Sequence, residues 1–487
     1  MLKILKNKWF WLSLPLIFIV VALSVSDMAR RITFYSPHMI AGAGAKLVCS
    51  GVFVMRREPE EVIKRDMENF YTPLMKFASF DFDLDKKTVS ATVLGFITKT
   101  ALYRPGVGCT LMIETTTEEL LVQAKGIDEN DRKYRAKEWP LGDVVTLNRD
   151  SKYIDWQQLE KAVDGAFEDN TEDKIIDTRA IVVVQNGKII AQRFAEGFDE
   201  NSRFLSWSAS KSILSALIGT MVTDGTLALN GPAPVPEWSN VSDPRHDITL
   251  HHLLTMTSGL EFTERYIPDN DSTDMLFKNG HMGDYAVAKV LEYQPGVKWS
   301  YSSGTTNILS RILFDTSGGN LKSVYDYAWQ RFFEPVGMTS AVFEPDVHGA
   351  FVGSSFFHAT AQDWARFGLL FLNKGMVGDK RVLSEDWVKY SHTPTPLAPQ
   401  GMYGAQFWLN GGHPTNHEGL MSPDLPKDTY MARGYNKEEI AIIPSKNAVI
   451  VRLGWTTLGA TFDTNKHFSQ ILTALPSTSD IQLAKGK

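Results

Sequence analysis

The sequence predicts an α+β domain whose sheet receives strands from both ends of the domain. Two apolar runs surround Asn186-Gly187 in the segment 179–197, and Asn-Gly is the strongest short signal of a β-hairpin. Two further strand-like runs follow late in the chain, at 438–444 and 447–455. Because helical patterns fill the interval between them, we expect the early and late strands to meet in one sheet.

The elements between these strands are predicted from the spacing of apolar residues. The segment 156–169 has helical spacing, and the pattern at 360–375 ends on Lys374-Gly375, a typical helix stop. We therefore expect one domain over residues 151–475 and a C-terminal tail over 476–487. The other predicted helices lie at 248–256, 283–292, 304–316, 320–334 and 463–474.

Composition excludes some function classes. The 487 residues are 43% hydrophobic and 22% charged, which is ordinary for a globular protein. The net charge of −6 gives no general attraction to nucleic acid, so we expect no nucleic-acid partner. Two cysteines without a matching histidine cluster argue against a structural zinc site, and no metal or cofactor is expected.

The first residues have the pattern of an export or anchoring signal. Lys3, Lys6 and Lys8 precede an uncharged apolar run at 9–26. As a helix this run would span about 27 Å, just enough for the hydrocarbon core of a bilayer. We predict that residues 1–26 are a signal peptide or a membrane anchor, and both alternatives stay open. The body is then exported, either periplasmic or held by the inner membrane and facing the periplasm.

Residues 27–150 form an extension of unknown role. The segment 88–103 alternates in part and 110–116 is strand-like, so we expect a mixed, mostly β or irregular region. The chain's two cysteines, Cys49 and Cys109, both lie here. In an exported protein they would form a disulfide, and the alternative is two unpaired thiols.

A serine and a lysine stand three residues apart in SWSASKSIL, at the start of an apolar helical run. On a helix Ser208 and Lys211 share a face one turn apart. A serine hydroxyl needs an adjacent base to become a nucleophile, and a lysine can be that base when burial lowers its pKa. The alternative is a helix-capping serine with a solvated lysine, and this pattern alone favours it.

Two later stretches supply side chains that fit the same chemistry. Tyr301, in YSSG, lies where a loop meets a predicted helix, and a phenol there could transfer protons, with Ser303 adding a hydrogen bond. Gly434, in ARGY, precedes a strand and allows a backbone to approach a ligand closely. The Tyr435 N–H could then hold an oxyanion together with the Ser208 N–H, and Arg433 could bind a carboxylate.

With these stretches in order, residues 150–475 resemble the serine β-lactamase and penicillin-binding-protein-like hydrolases. The most similar branch is the class C β-lactamase-related one, with its D-aminopeptidases, family VIII esterases and 6-aminohexanoate-dimer hydrolases. The resemblance implies an antiparallel sheet flanked by helices plus a helical subdomain, with Ser208 as nucleophile, Lys211 as base and Tyr301 as the family's tyrosine. It rests on SASK (208–211), YSS (301–303), HHLLTMTSGL (251–260) and GSSFFHATAQDWARFGLLFLNKG (353–375).

The chain also departs from that family. Where the family has Lys-Thr-Gly or His-x-Gly, this chain has Ala-Arg-Gly at 432–434, so the lysine that helps to hold a β-lactam carboxylate is missing. Ser303 stands where the family often has asparagine. The similar esterases and oligomer hydrolases also have a serine in place of that asparagine. GLEFTERY, at 259–266, is similar to the oligomer hydrolases and implies that Tyr266 borders the substrate.

The sequence therefore predicts a serine hydrolase that cleaves an amide or ester bond through an acyl-enzyme on Ser208. Its partner would be a small-molecule or short peptide-like substrate, together with the inner membrane if residues 1–26 are retained. Two alternatives are a DD-peptidase or peptidoglycan-editing enzyme, and a catalytically silent binding or sensor protein of the same fold.

Overall fold

A computed structural model describes residues 35–68, 73–128, 135–147, 149–168, 175–412, 419–457 and 459–476. The predicted signal or anchor at 1–26 lies outside the described residues, as do residues 477–487 of the predicted tail.

The main sheet has six antiparallel strands and joins both ends of the region predicted at 151–475, as expected. The strands β5 (Thr178–Gln185) and β6 (Lys188–Phe194) form the hairpin, and both turn residues, Asn186 and Gly187, have positive φ. The late strand β15 (Ala448–Gly454) pairs with β5. The spatial order is β12-β13-β14-β15-β5-β6, with β12 at Trp408–Leu409, β13 at Tyr430–Arg433 and β14 at Glu439–Ile443.

Helices cover both faces of this sheet because successive side chains of its central strands point to opposite sides. In β5, Val182 faces the core shared with helix α12 (Ala361–Leu372), whereas Ile181 and Val183 face a second core. The second core is closed by helices α4 (Trp156–Gly165) and α14 (Thr464–Thr473). This layered arrangement confirms the predicted α+β class.

The part of the chain between strand β7 (Arg203–Leu205) and strand β12 is mainly helical. Two small sheets lie beside it, β7-β9-β8 and β10-β11. The strands are β7 (Arg203–Leu205), β8 (Val342–Phe343), β9 (Phe357–Thr360), β10 (Met376–Val377) and β11 (Lys380–Arg381). The helices are α5 (Ser210–Thr223), α6 (Leu250–Leu254), α7 (Asp271–Lys278), α8 (Met282–Val287), α9 (Ser303–Thr316), α10 (Leu321–Ala328), α11 (Glu334–Val336) and α13 (Glu385–Ser391).

The extension contains a four-stranded antiparallel sheet covered by one long helix. The strands are β1 (Ala78–Asp83), β2 (Thr88–Val93), β3 (Ile97–Arg104) and β4 (Gly108–Leu111). The helices are α1 (Ser36–Cys49), α2 (Pro59–Glu61) and α3 (Thr117–Gln123). The predicted strand at 110–116 is wrong beyond Leu111, where β4 ends. The prediction of a mostly β or irregular extension did not include helix α1.

The helical run Ser36–Val54 is long and apolar enough to cross a membrane, but 83% of its most apolar window is buried inside the protein. Its small residues allow close packing: a Cβ placed on Gly42 would lie 2.3 Å from the Phe277 carbonyl oxygen. The helix therefore belongs to the core that the extension shares with the region 151–475.

A buried charged cluster joins the extension to the region 151–475. Lys46 of α1 forms an ion pair with Glu344, which also accepts hydrogen bonds from Ser50 Oγ (2.9 Å) and the Cys109 N–H (2.7 Å). Burial opposes ionisation of Glu344, but Lys46 and His358 lower its pKa to about 2. Cys109 also forms a disulfide with Cys49, which ties α1 to β4.

Candidate active site

Ser208 and Lys211 lie together at the start of the buried helix α5. Ser208 is in a 3₁₀ turn, Trp207–Ala209, that leads directly into α5. Lys211 Nζ donates a hydrogen bond to Ser208 Oγ at 3.0 Å, and the lysine is 1% exposed while the serine is half-buried. Burial lowers the pKa of Lys211 to about 8, although the charge of Glu264 acts in the opposite direction. The amine can therefore exchange a proton with the serine near neutral pH.

The lysine amine is held by three neutral oxygen atoms. Besides Ser208, it donates to Ser303 Oγ and to the Ser354 carbonyl oxygen, each at 3.0 Å. These partners use all three N–H groups of an ammonium, and they fix the position of Nζ whether or not it is protonated. The Tyr301 ring covers the amine, with its centroid 5.0 Å from Nζ.

Tyr301 also contacts the same serine. Its phenol hydrogen-bonds with Ser208, and burial raises its pKa well above the usual value, with Tyr403 and Glu264 contributing. Tyr403 and Trp408 pack around the ring, at centroid distances of 5.8 and 5.3 Å. The phenol is therefore protonated at neutral pH and can donate a proton, but it is a poor base.

Glu264 is a site residue that the sequence analysis did not single out. It accepts hydrogen bonds from the Ser303 backbone N–H and from Ser303 Oγ, both at 2.7 Å. Because Ser303 Oγ also accepts from Lys211, the carboxylate acts on the lysine through one intervening hydroxyl. The GLEFTERY stretch contains this residue, but it also contains Glu261, and nothing local distinguishes the two.

An aromatic cluster borders the serine. Trp207 is fully buried at φ +44°, a strained conformation for a bulky residue, immediately before Ser208. It contacts Tyr266 and Tyr435, whose own ring centroids are 4.7 Å apart. The buried Tyr266 hydroxyl makes no hydrogen bond of good geometry with the described residues. Ser303 is the polar side chain near that hydroxyl, so Tyr266 lies among the groups that surround Lys211.

The end of strand β13 lies against the turn that carries Ser208. A Cβ on Gly434 would lie 2.3 Å from the Ser206 carbonyl oxygen, so only glycine allows this approach. The ladder between β13 and β14 ends at the pair Arg433–Glu439, and Tyr435 follows beyond it. This places the Tyr435 backbone at the edge of the site, where the sequence analysis expected an oxyanion donor.

Arg433 already has a carboxylate partner within the sheet. Its Nε and Nη2 lie 2.9 and 2.7 Å from Glu439 Oε1 on the neighbouring strand. Its charge also acts to lower the pKa of Tyr301, so the guanidinium is close to the site. Binding of a substrate carboxylate by Arg433 remains a prediction, and it would have to share the group with Glu439.

The described residues offer no group of three or more His, Cys, Asp or Glu side chains arranged to hold a metal ion. The two histidines of the HHLLTMTSGL stretch contact other hydrogen-bonding groups of the fold instead. His252 Nδ1 accepts the Thr249 N–H (3.2 Å) at the start of α6, and His251 Nδ1 lies 2.9 Å from the Tyr390 hydroxyl.

The chain is similar to a known family and to two characterised hydrolases. The family model described as Beta-lactamase matches residues 163–465, more than half of the chain. The 6-aminohexanoate-dimer hydrolase of Paenarthrobacter ureafaciens is 24% identical over 57% of this chain and 72% of its own. Esterase EstB of Burkholderia gladioli is 25% identical over 41% of this chain and 55% of its own.

Solved structures show the same fold. A Bacillus anthracis protein assigned as a 6-aminohexanoate-dimer hydrolase superposes with a TM-score of 0.51 at 20% identity, covering 72% of this chain and 88% of its own. The resemblance found in the sequence is thereby confirmed. The chain belongs to the beta-lactamase family and is a serine hydrolase of that family.

Proposed function

We propose that the chain hydrolyses an amide or ester bond through an acyl-enzyme formed on Ser208. The observation that supports this most strongly is the buried Lys211 amine, with its pKa lowered to about 8, hydrogen-bonded to Ser208 Oγ at 3.0 Å. A serine with a poised base in hydrogen-bond contact meets the requirement for nucleophilic catalysis.

The proposed reaction begins with proton transfer from Ser208 Oγ to neutral Lys211 Nζ. The serine oxygen then attacks the substrate carbonyl carbon, and the N–H groups of Ser208 and Tyr435 hold the negative oxygen of the tetrahedral intermediate. Tyr301 gives its phenolic proton to the leaving group and recovers one from Lys211. The ester on Ser208 is released by a water molecule that passes its proton back along the same groups.

The neighbouring residues favour a small amide or ester over a β-lactam. The chain has Ala432 where the family's lysine would help to bind a β-lactam carboxylate, and the neighbouring Arg433 is already paired with Glu439. Relatives named as a 6-aminohexanoate-dimer hydrolase and an esterase support the same class of substrate. Tyr266 would border that substrate, because its ring contacts Trp207, the residue directly before Ser208.

We also propose that the enzyme works outside the cytoplasm. The uncharged run at 9–26, preceded by three lysines, supports an anchor or export signal in the inner membrane. The Cys49–Cys109 disulfide is consistent with an oxidising compartment such as the periplasm.

Ser208→Ala tests the proposed nucleophile. We expect the variant to lose covalent labelling by a fluorophosphonate probe and to lose turnover of a chromogenic short-chain ester. Ser206→Ala is the matched control, since the one hydrogen bond of the Ser206 hydroxyl to the described residues is a 3.3 Å contact with the Trp207 carbonyl oxygen. Undiminished labelling of Ser208→Ala would refute the assignment. A panel that adds a 6-aminohexanoate dimer and a D-Ala-D-Ala peptide separates the amidase and esterase hypothesis from the DD-peptidase alternative.

A further inference from the structure

Three large apolar side chains are exposed together on the extension. Phe77 is 66% exposed, Leu94 is 50% exposed and Phe96 is 74% exposed. Phe77 directly precedes strand β1, and the other two residues belong to the turn that joins β2 to β3. We call these three residues the apolar tip.

The strand register places the apolar tip at one end of the four-stranded sheet. Ala78, the first residue of β1, pairs with Val93, the last residue of β2. Val93 in turn pairs with Ile97, the first residue of β3. The three residues of the apolar tip therefore lie at the same end of the sheet, next to the paired residues Ala78, Val93 and Ile97.

The turn at the apolar tip has a leucine, Leu94, in a backbone conformation that leucine does not favour. Leu94 has φ +56° and Gly95 has φ +77°, and the Phe96 N–H donates to the Val93 carbonyl oxygen at 3.4 Å. Turns with positive φ at both central positions favour Asn-Gly. A leucine at this position is strained and leaves apolar surface in water, which is typical of a contact surface rather than of a folding requirement.

Helix α1 begins at this same end of the sheet. A Cβ on Gly44 would contact Ala91 at 3.2 Å, and Ala91 is two residues from the tip end of β2. Five residues later, Cys49 is bonded to Cys109 in β4, which pairs with the opposite half of β3. The helix thus runs away from the tip, and its N-terminal end lies towards it.

The apolar run predicted to enter the membrane is close along the chain. Tyr35 is the first described residue, and the residues 27–34 separate it from the run at 9–26. Eight residues span at most about 28 Å, so a bilayer entered by 9–26 lies within reach of the tip. Basic residues accompany the tip: Lys76 is exposed beside Phe77, and Lys99 follows in β3. Such charges favour anionic lipid headgroups.

We propose that the apolar tip inserts into the headgroup region of the bilayer to which residues 9–26 anchor the chain. The proposal rests on the anchoring proposed above and adds a second membrane contact made by the folded extension. One span alone would let the hydrolase region tumble above the membrane. A second contact fixes its orientation and assigns a role to the extension, which carries none of the proposed catalytic side chains.

A matched pair of leucines tests the proposal. Leu84 lies in the turn between β1 and β2, at the opposite end of the sheet from Leu94, and it is 62% exposed. Because the two native cysteines form a disulfide, Leu94→Cys and Leu84→Cys each create a single free thiol for an environment-sensitive fluorophore. Phe96→Cys provides a second tip position should Leu94→Cys fold poorly.

The labelled full chain is reconstituted into vesicles of phosphatidylethanolamine and phosphatidylglycerol. We expect the tip label to emit at shorter wavelength, to be quenched by nitroxide-labelled lipid and to be shielded from aqueous iodide, whereas the label at position 84 stays accessible to iodide. Equal iodide access at both positions in anchored chain would overturn the tip contact alone. Emission that shifts without quenching by nitroxide lipid would show that another protein copy covers the tip, and it too would overturn the proposal. Recovery of soluble chain lacking residues 1–26 would overturn the anchoring as well.

Discussion

Two buried lysines, Lys46 and Lys211, show how neighbouring groups decide what a buried cation can do. Each is at most 2% exposed, and burial lowers the pKa of both. Lys46 contacts the carboxylate of Glu344 directly. Lys211 instead contacts three neutral oxygen atoms, and its nearest carboxylate, on Glu264, is separated from it by a serine hydroxyl.

The difference separates a structural site from a reactive one. At Lys46 two opposite charges meet in the dry interface between the extension and the hydrolase region, and each compensates for the lost solvation of the other. At Lys211 no charged group of the described residues is in contact, so the neutral amine is accessible near neutral pH and can accept the proton of Ser208. The same residue type therefore stabilises the fold in one place and supplies a base in the other.

Removing the reactive lysine should have the largest effect on activity. In Lys211→Met we expect kcat/KM for a chromogenic ester to fall on the order of 10²- to 10⁴-fold, the usual contribution of a general base. The free energy of unfolding should change little, because the substitution replaces a buried cation that has no carboxylate in contact. Steady-state kinetics and thermal unfolding measure the two quantities. Activity at the level of the unmodified enzyme would show that another group is the base.

Removing the structural lysine should have the opposite pattern. Lys46→Met leaves Glu344 buried without its cation, so we expect the free energy of unfolding to fall by about 3–5 kcal/mol. The kcat/KM of the folded fraction should stay near that of the unmodified enzyme. Denaturant unfolding measures the loss.

The double variant Lys46→Met/Glu344→Gln is the control for the structural lysine, because it removes both charges and should recover part of the stability. If the single variant unfolds at the same denaturant concentration as the unmodified protein, the ion pair does not stabilise the interface.

The sequence predicted the elements whose signals are local. The Asn186-Gly187 hairpin depends on a two-residue turn, and the pair Ser208 and Lys211 depends on one helical turn, so both are visible in a short window. Tyr301 could be assigned to the site only because several motifs occur along the chain in the same order as in the family. These features account for the main sheet and for the centre of the site.

What the sequence missed depends on contacts between distant segments. Gly42 and Gly44 lower the helix propensity of α1, and the helix is stabilised by packing against β2, β3 and α7, which are far along the chain. Glu264 acquires its role only from Ser303, 39 residues later. The ion pair between Arg433 and Glu439 would have been easier to predict from the sequence, because the two residues pair across neighbouring strands joined by a short turn.

The smallest expected effect concerns the carboxylate that acts on Lys211 through Ser303. Because Lys211 must be neutral to accept a proton, kcat/KM should rise with pH and level off above the lysine pKa of about 8. The charge of Glu264 acts to raise that pKa, so Glu264→Gln should move the rise to lower pH and leave the plateau within a few-fold. Glu261→Gln, an exposed glutamate of the same stretch, is the control and should leave the profile in place. A profile that stays fixed or moves to higher pH in Glu264→Gln would mean that the titration governing activity is not that of Lys211.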